Sequence, residues 1–383
     1  MKNNFTQEWK VYNWEKIVKS INSKNNLDVK QALSSLEVNS KNIMSLLSPS
    51  ANQYIEEIAK KAKKLTRQRF GNIVSLYIPL YVSNLCSNIC TYCGFSVLNN
   101  IKRKILTSEE ILEECKSIKE LGFEKILLVS GEHEKKVGMD YFRKNLPIIR
   151  KNFSTLTIEF QPFSTKNYKE LKKIGVDGVL VYQETYNYKS YLQHHLKGKK
   201  RDFFFRLNAL ERVGDAQINN IGIGVLLGLS DSWRADCYYM AMHLLFLKKK
   251  YWRSNFSVSF PRIQPCVGGI SSKNFISDRE LFQLICVFRL FFPDVEFSLS
   301  TREEATFRDN VIPIAINSIS AYSKTYPGGY SKKLNRTKKR EKLKQFEIKD
   351  IRTPKEIENM IKKLGLKPIW KDWDYYLGRK CNI

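Results

Sequence analysis

The sequence has no apolar run approaching the roughly 18 residues that cross a bilayer as a helix. Its first residues, MKNNFTQEWK, lack the apolar core of a secretory signal. A helical anchor and an exported chain are both set aside on these grounds, and a cytoplasmic protein is expected. A disulfide framework is also lacking. Five of the eight cysteines, Cys115, Cys237, Cys266, Cys286 and Cys381, are scattered singly, several of them in apolar surroundings that suit inert core residues. Acidic residues are scarce, with 38 Asp and Glu against 65 Lys and Arg and a net charge of +27. Such an excess suggests nucleic acid. The basic residues, however, spread over the whole chain among many Asn and Ile, a bias that an AT-rich genome produces with no change of function. The expectation is salt-sensitive, nonspecific binding to polyanions, with no specific nucleic-acid partner. The 383 residues, 43% of them hydrophobic, suffice for one large domain or two average ones with a sizeable core.

What is present is a tight cysteine triplet. Within YVSNLCSNICTYCGFS, Cys86, Cys90 and Cys93 have the spacing C-x3-C-x2-C. A zinc site usually closes with four Cys or His ligands in paired short spacings, and the chain offers no second pair. A cubane [4Fe-4S] cluster has four irons, each needing an outside ligand, usually a cysteine thiolate. Three cysteines leave one iron for an exchangeable ligand. Aromatic Tyr92 precedes the third cysteine, and Gly94 follows it, letting the backbone pass close to the cluster. This triplet resembles the signature of radical S-adenosylmethionine enzymes. In that family the open iron chelates the amino and carboxylate groups of the methionine moiety, and an electron from the cluster releases a 5′-deoxyadenosyl radical.

The N-terminal part reads as helical and polar, chiefly over Gln7–Asn22 and Ser50–Phe70. In the second piece Tyr54, Ile58, Ala62 and Leu65 form one stripe at helical spacing, Ser50 is the candidate cap and Phe70-Gly71 the stop. From Ile73 onward apolar runs alternate with helical segments. The expected strands are Val74–Val82, Lys125–Ser130, Leu156–Phe160, Gly178–Gln183, Ile221–Leu227, Phe256–Phe260, Glu296–Leu299 and Ile312–Ile319. The expected helices include Thr107–Leu121, Tyr141–Asn152, Thr165–Ile174, Ser232–Tyr251 and Asp278–Phe292. Eight such units suit an α/β fold of the (β/α)8 TIM-barrel type, with a doubly wound sheet as the alternative. The expected organisation is a helical extension over 1–72, the barrel over 73–330, and a basic loop with a helical tail over 331–383. In that tail Trp370 and Trp373 are the expected anchors, and the basic run 331–345 reads as a solvated loop, with a mobile lid as the alternative.

The triplet then falls after the first strand, on the face where barrel enzymes hold their chemistry. Polar residues gather at the ends of the later strands: Gly131-Glu132, Glu159 and Gln161, Tyr182 to Tyr186, Arg262, Ser300 to Arg302, and Ser320 to Thr325. One shared cavity explains six such clusters better than six separate loops do.

Nearly the whole chain resembles the 2-iminoacetate synthases, the tyrosine lyases of bacterial thiamine thiazole synthesis. The strings that carry the likeness are YVSNLCSNICTYCGFS, LVSGE, IEFQP, YQETYN, HHLKGKKRDF, SFPRIQP, LSTRE, SKTYPGGY and PIWKDWD. The resemblance implies a [4Fe-4S] cluster on Cys86, Cys90 and Cys93, and S-adenosylmethionine as cofactor. It implies cleavage of the Cα–Cβ bond of L-tyrosine to 2-iminoacetate (dehydroglycine) and 4-cresol, with 5′-deoxyadenosine and methionine released. Gly131-Glu132 matches the element that receives the methionine amino group. Glu159 and Arg206 sit where related enzymes contact the cofactor's sugar and carboxylate, and the segment holding Gly222 and Gly224 where the strand lies along the adenine. Arg302 is the candidate for the tyrosine carboxylate, because its guanidinium fork matches a carboxylate in two hydrogen bonds. Ser320 or Ser323 adds a hydroxyl, and Glu184 and Tyr186 are candidate walls of the cavity. Thiazole synthase and an electron donor such as flavodoxin or ferredoxin are the implied partners.

Two departures from the family pattern stand out: Tyr322 replaces a small glycine, and Asp215-Ala216-Gln217 replaces a common Ala-Gly string. Four other readings compete. The tyrosine lyase that matures [FeFe]-hydrogenase carries a further cysteine-bearing C-terminal domain, whereas this tail holds only Cys381. The tryptophan lyase shares the fold. A basic nucleic-acid-binding protein with a structural metal, or a scaffold without turnover, is the non-enzymatic alternative.

Overall fold

The computed structural model describes residues 4–270, 274–331 and 343–371. Most of the basic run, together with Trp373 and Cys381, lies outside them. Eight parallel strands form the core of the molecule: β1 (Ile73–Ser83), β2 (Lys125–Ser130), β3 (Thr155–Glu159), β4 (Gly178–Leu180), β5 (Asn220–Gly224), β6 (Asn255–Ser259), β7 (Glu296–Leu299) and β8 (Ser318–Ser320). Each pairs with the next, and β8 pairs with β1 through Ser75↔Ser318 and Tyr77↔Ser320, so the sheet closes on itself. The barrel expected from the alternating pattern is therefore the observed fold, and the open doubly wound sheet is not.

Local chemistry sets the surrounding helices. The helix Ser108–Glu120 begins with a capping box in which Thr107 and Glu110 satisfy each other's backbone N–H groups. Ser277 with Glu280, and Thr353 with Glu356, do the same for Asp278–Phe291 and Pro354–Lys363. The N-terminal extension holds more helices than expected: Phe5–Val11, Trp14–Asn22, Asn26–Ser35, Ser40–Leu47 and Ile55–Phe70. Asn4, Asn13, Asn25 and Asn39 cap the first four, so the asparagine-rich composition serves the helix starts directly. Ser50 is not a cap; its hydroxyl donates to the Lys24 carbonyl within a short 3-10 turn. The stripe on Ile55–Phe70 buries Ile58 and Ala62 completely while Lys60, Lys63 and Lys64 stay in solvent.

The last expected strand is placed wrongly. Ile312–Ala315 ends the helix Ala305–Ala315, and the strand starts only at Ser318. The apolar run Ile312–Ile319 reads as one continuous strand. Here Arg67 instead donates to the final carbonyls, those of Ile312 and Pro313, and Arg289 to that of Ala315. A tail strand, Lys367–Ile369, pairs with the start of β1 from Ile73 to Ser75, and Trp370 packs edge-on against Phe123. No helix of the described residues is long and apolar enough to cross a membrane.

Candidate active site

The loop after β1 is folded by one side chain. Arg103 donates to the carbonyls of Asn84, Phe95, Ser96 and Asn99, drawing the ends of the cysteine segment together. Within it Ile89–Cys90 pairs antiparallel with His195–Lys197, a small ribbon outside the barrel. Two histidines brace this ribbon in fixed tautomers. His195 Nδ1 meets the Tyr191 carbonyl and so must be protonated, leaving Nε2 to accept from the Tyr92 hydroxyl at 2.8 Å. His194 is the reverse: Nε2 faces the Leu229 carbonyl, and Nδ1 accepts from Thr91. Burial keeps both below the usual histidine range and hence neutral.

Cys86 and Cys90 are buried and Cys93 half-buried, all three are free, and all three face one cavity at the C-terminal ends of the strands. Burial, then the charges of Glu132 and Cys93, pushes the Cys86 thiol up to about 11. Cys90 rises as well, through burial, with Lys200 opposing. Buried thiols such as Cys86 and Cys90 become thiolates only against a strong positive charge, which iron supplies. Among the described residues no three His, Cys, Asp or Glu close on a single metal ion. A cubane gives each thiolate its own iron, so the donor set fits a cluster better than one zinc.

The strand ends supply the rest of the cavity. Gly131 and Glu132 follow β2. The loop carbonyl of Leu85 passes so near Gly131 that a Cβ there would lie 2.4 Å from it. Glu132 accepts from Arg206 Nη1 at 3.1 Å and from Asn88 Nδ2 at 2.8 Å, and Asn88 also donates to Cys86 Sγ at 3.5 Å through its backbone. Glu184 takes Lys200 Nζ at 2.7 Å and Arg206 Nη2 at 3.4 Å. Those two cations outweigh burial and hold its carboxyl below the usual range. Its backbone is left-handed, with φ of 70°, which is costly for a non-glycine residue and tends to persist at functional sites. Glu159 has no ion pair among the described residues. Burial, then the charge of Glu184, pushes it up to about 7. Arg302 lies with its guanidinium carbon 3.4 Å from the centre of the Phe346 ring, and it too has no carboxylate partner among the described residues. Ser320 and Ser323 line the same wall, their hydroxyls 3.3 Å apart.

Other candidates stand elsewhere. Tyr186 is not on the cavity wall. It points into the helical layer, where its hydroxyl meets His243 Nδ1 at 2.8 Å and its ring packs against Phe5. Strand alternation would put Tyr182, Glu184 and Tyr186 on one face, but β4 ends at Leu180 and the left-handed turn at Glu184 breaks the alternation. Gly222 and Gly224 also lie off the wall. A Cβ at either would strike Leu180 or Tyr182, whose side chains do line it. Arg262 is held by Glu303 and Asp278, and Gln161 bonds the Val137 carbonyl. Tyr322 has φ of 52°, a position suited to the expected glycine, yet its ring lies under Lys324 and not among the cavity-lining side chains. The departure therefore leaves the cavity width unchanged.

Sequence reasoning missed Lys200, Tyr92 as a His195 partner, and the segment Leu343–Asp350, which crosses the mouth. That segment bonds Thr325 and Gly94 through Gln345, Pro265 through Glu347, and Thr301 through Lys349 and Asp350. The family string HHLKGKKRDF was the available signal for Lys200. For the mouth-crossing segment the sequence offers only a basic run.

Residues 80–238 match the radical SAM superfamily, and residues 259–367 match the biotin and thiamin synthesis associated domain. Over 98% of both chains, the protein is 54% identical to the 2-iminoacetate synthase of Salmonella typhimurium. The chain belongs to the 2-iminoacetate synthase family. A second family member, from Escherichia coli, is 52% identical, again over 98% of both chains. The [FeFe]-hydrogenase maturase HydG from Carboxydothermus hydrogenoformans is similar in structure, with a TM-score of 0.88 and 30% identity over 99% of this chain and 88% of that one. As a 2-iminoacetate synthase family member the protein is a radical S-adenosylmethionine lyase with a [4Fe-4S] cluster, which the cysteine loop fits.

Glu159 makes one consequence of this geometry measurable. Its folded carboxyl binds a proton more tightly than the unfolded one, so the fold gains a proton between about pH 4.5 and about pH 7. Stability of the cluster-free protein then falls as pH rises through that window. Glu159→Gln is expected to raise the melting temperature at pH 8 by about 2–4 °C and to leave it unchanged at pH 4.5. Thermal unfolding at the two values checks this.

Proposed function

We propose that the protein cleaves the Cα–Cβ bond of L-tyrosine, giving 2-iminoacetate and 4-cresol for assembly of the thiamine thiazole. The observation that carries this is the 54% identity to a 2-iminoacetate synthase along nearly the whole chain. Held in the cavity, the cluster and S-adenosylmethionine would supply one-electron reductive chemistry that opens a radical route to the substrate. The chain's own residues do the holding. Cys86, Cys90 and Cys93 carry the cluster. Glu132 receives the methionine amino group, held in place by Arg206 and Asn88. Glu159 and Arg206 take the cofactor's sugar and carboxylate, and Gly222 and Gly224, set behind the cavity wall, leave room for Leu180 and Tyr182 to line it on the adenine side. Arg302 grips the tyrosine carboxylate, and Ser320 or Ser323 adds a hydroxyl. That Arg302 lines the cavity with no carboxylate partner among the described residues supports this role, because its guanidinium fork is left open to a substrate carboxylate. Thiazole synthase as the acceptor of 2-iminoacetate, flavodoxin or ferredoxin as electron donor, and a cytoplasmic location complete the proposal.

The test is anaerobic. The reconstituted protein, a strong reductant, S-adenosylmethionine and tyrosine are combined, and 4-cresol and 5′-deoxyadenosine are sought by mass spectrometry. Both products are expected. Deoxyadenosine without cresol would reopen the substrate, with tryptophan next. Arg302→Lys is expected to raise the KM for tyrosine by roughly tenfold or more while S-adenosylmethionine affinity stays within about twofold, since Lys cannot form the bidentate fork. Equal losses in both would remove Arg302 from the substrate side.

A further inference from the structure

Gln345 lies 252 positions beyond Cys93 in sequence, yet its Nε2 stands 3.7 Å from the Cys93 sulfur. Its orientation follows from its other contacts. Tyr81 donates its hydroxyl to Gln345 Oε1 at 2.8 Å. The reverse placement would aim the amide oxygen at a thiolate, two acceptors face to face, so the network selects the N–H toward sulfur. The backbone fixes the residue as firmly. Gln345 N–H donates to the Thr325 carbonyl at 2.9 Å, and the Gly94 N–H donates to the Gln345 carbonyl at 3.0 Å. A Cβ on Gly94 would lie 2.4 Å from that carbonyl oxygen. The glycine after the third cysteine therefore admits Gln345; it was expected to serve the cluster's approach. The next residue, Phe346, is the one stacked on Arg302.

We propose that Gln345 is a positioning residue that donates an N–H···S hydrogen bond to the cluster ligand Cys93 and thereby sets the reduction potential of the cluster. Hydrogen bonds to cluster sulfurs draw electron density from the irons and make reduction easier. Cys86 receives comparable donors from Asn88. Gln345 extends that supply to a second ligand from a segment far away in the chain.

This rests on the cluster and not on tyrosine as the substrate, so the test omits both substrate and S-adenosylmethionine. Wild type, Gln345→Leu, Gln345→Met and Gln345→Glu are reconstituted anaerobically, matched for iron content, and titrated with reductant while the reduced-cluster signal is followed by electron paramagnetic resonance. Leu and Met keep the bulk without the donor, and Glu replaces the donor with negative charge. The expected result is a shift to more negative midpoint potential for Leu and Met alike and a larger one for Glu. Midpoints equal to wild type in whichever of the Leu and Met variants loads would overturn the proposal. A wild-type protein that takes up no cluster would instead overturn the cluster reading itself.

Discussion

Cys90→Ala is expected to reduce 4-cresol formation below detection. Cys90 sits in the two-residue strand paired with His195–Lys197, so its sulfur is held in place by a ribbon outside the barrel. Alanine leaves that ribbon intact, because the pairing uses only backbone groups. What is lost is one of three thiolates, and an iron without its ligand leaves or exchanges. Iron and sulfide per chain should fall together with turnover, while the melting temperature of the cluster-free protein changes by no more than about 2 °C. Cys115→Ala is the control. Cys115 is fully buried on the helix Ser108–Glu120, its thiol pushed up to about 12 by burial, and far in character from a ligand. That variant should lose some packing but hold a full cluster. Full activity of Cys90→Ala with a depleted cluster would sink the mechanism.

Asp350→Ala is expected to give the largest stability loss. Arg308 is fully buried and ion-paired with Asp350, and its Nη2 donates to the Ser320 carbonyl at 2.5 Å. Arg352 grips the same carboxylate at 2.7 Å and reaches Asp309 at 2.8 Å. Removing Asp350 strands a buried guanidinium, which costs about 3–5 kcal/mol and should lower the melting temperature by roughly 4–6 °C. Replacing both partners by apolar residues, Arg308→Met with Asp350→Leu, should recover much of the loss, since no charge is then left without its mate. Burial pushes the Asp350 carboxyl up, but Arg352 and Arg308 outweigh it and hold it below the usual range of 3.8. A depressed carboxylate contributes stability that is present above its unfolded value and lost as pH falls through the folded one. The gap between Asp350→Ala and wild type should therefore be constant from pH 5 to pH 8 and close only in stronger acid. A calorimetric series across pH checks this.

Much of the architecture was legible because it rests on local pattern. Buried parallel strands must be apolar runs, so β2 and β7 appear in the sequence with their observed bounds. The cysteine loop was legible because ligand chemistry compresses it into a few positions. Three things were hidden, each for a stated reason. Ile312–Ala315 reads as strand because its capping partners, Arg67 and Arg289, are remote in sequence. Tyr186 was assigned to the wall because a side chain's face depends on where a strand stops, and the turn at Glu184 has no glycine to mark it. Gln345 was hidden in a basic run because nothing local in that run reports what lies opposite it. Arg302 and Glu159 were legible as cavity residues because both stand at strand ends, and both line the cavity.

The segment that crosses the mouth also has a consequence in time. Cys93 and Gln345 are separated by 252 residues of chain. At roughly 5–20 residues per second, a ribosome that has just made the cysteine loop needs about 12–50 s more to make the segment that covers it. Throughout that interval the nascent barrel presents its thiols without their last wall.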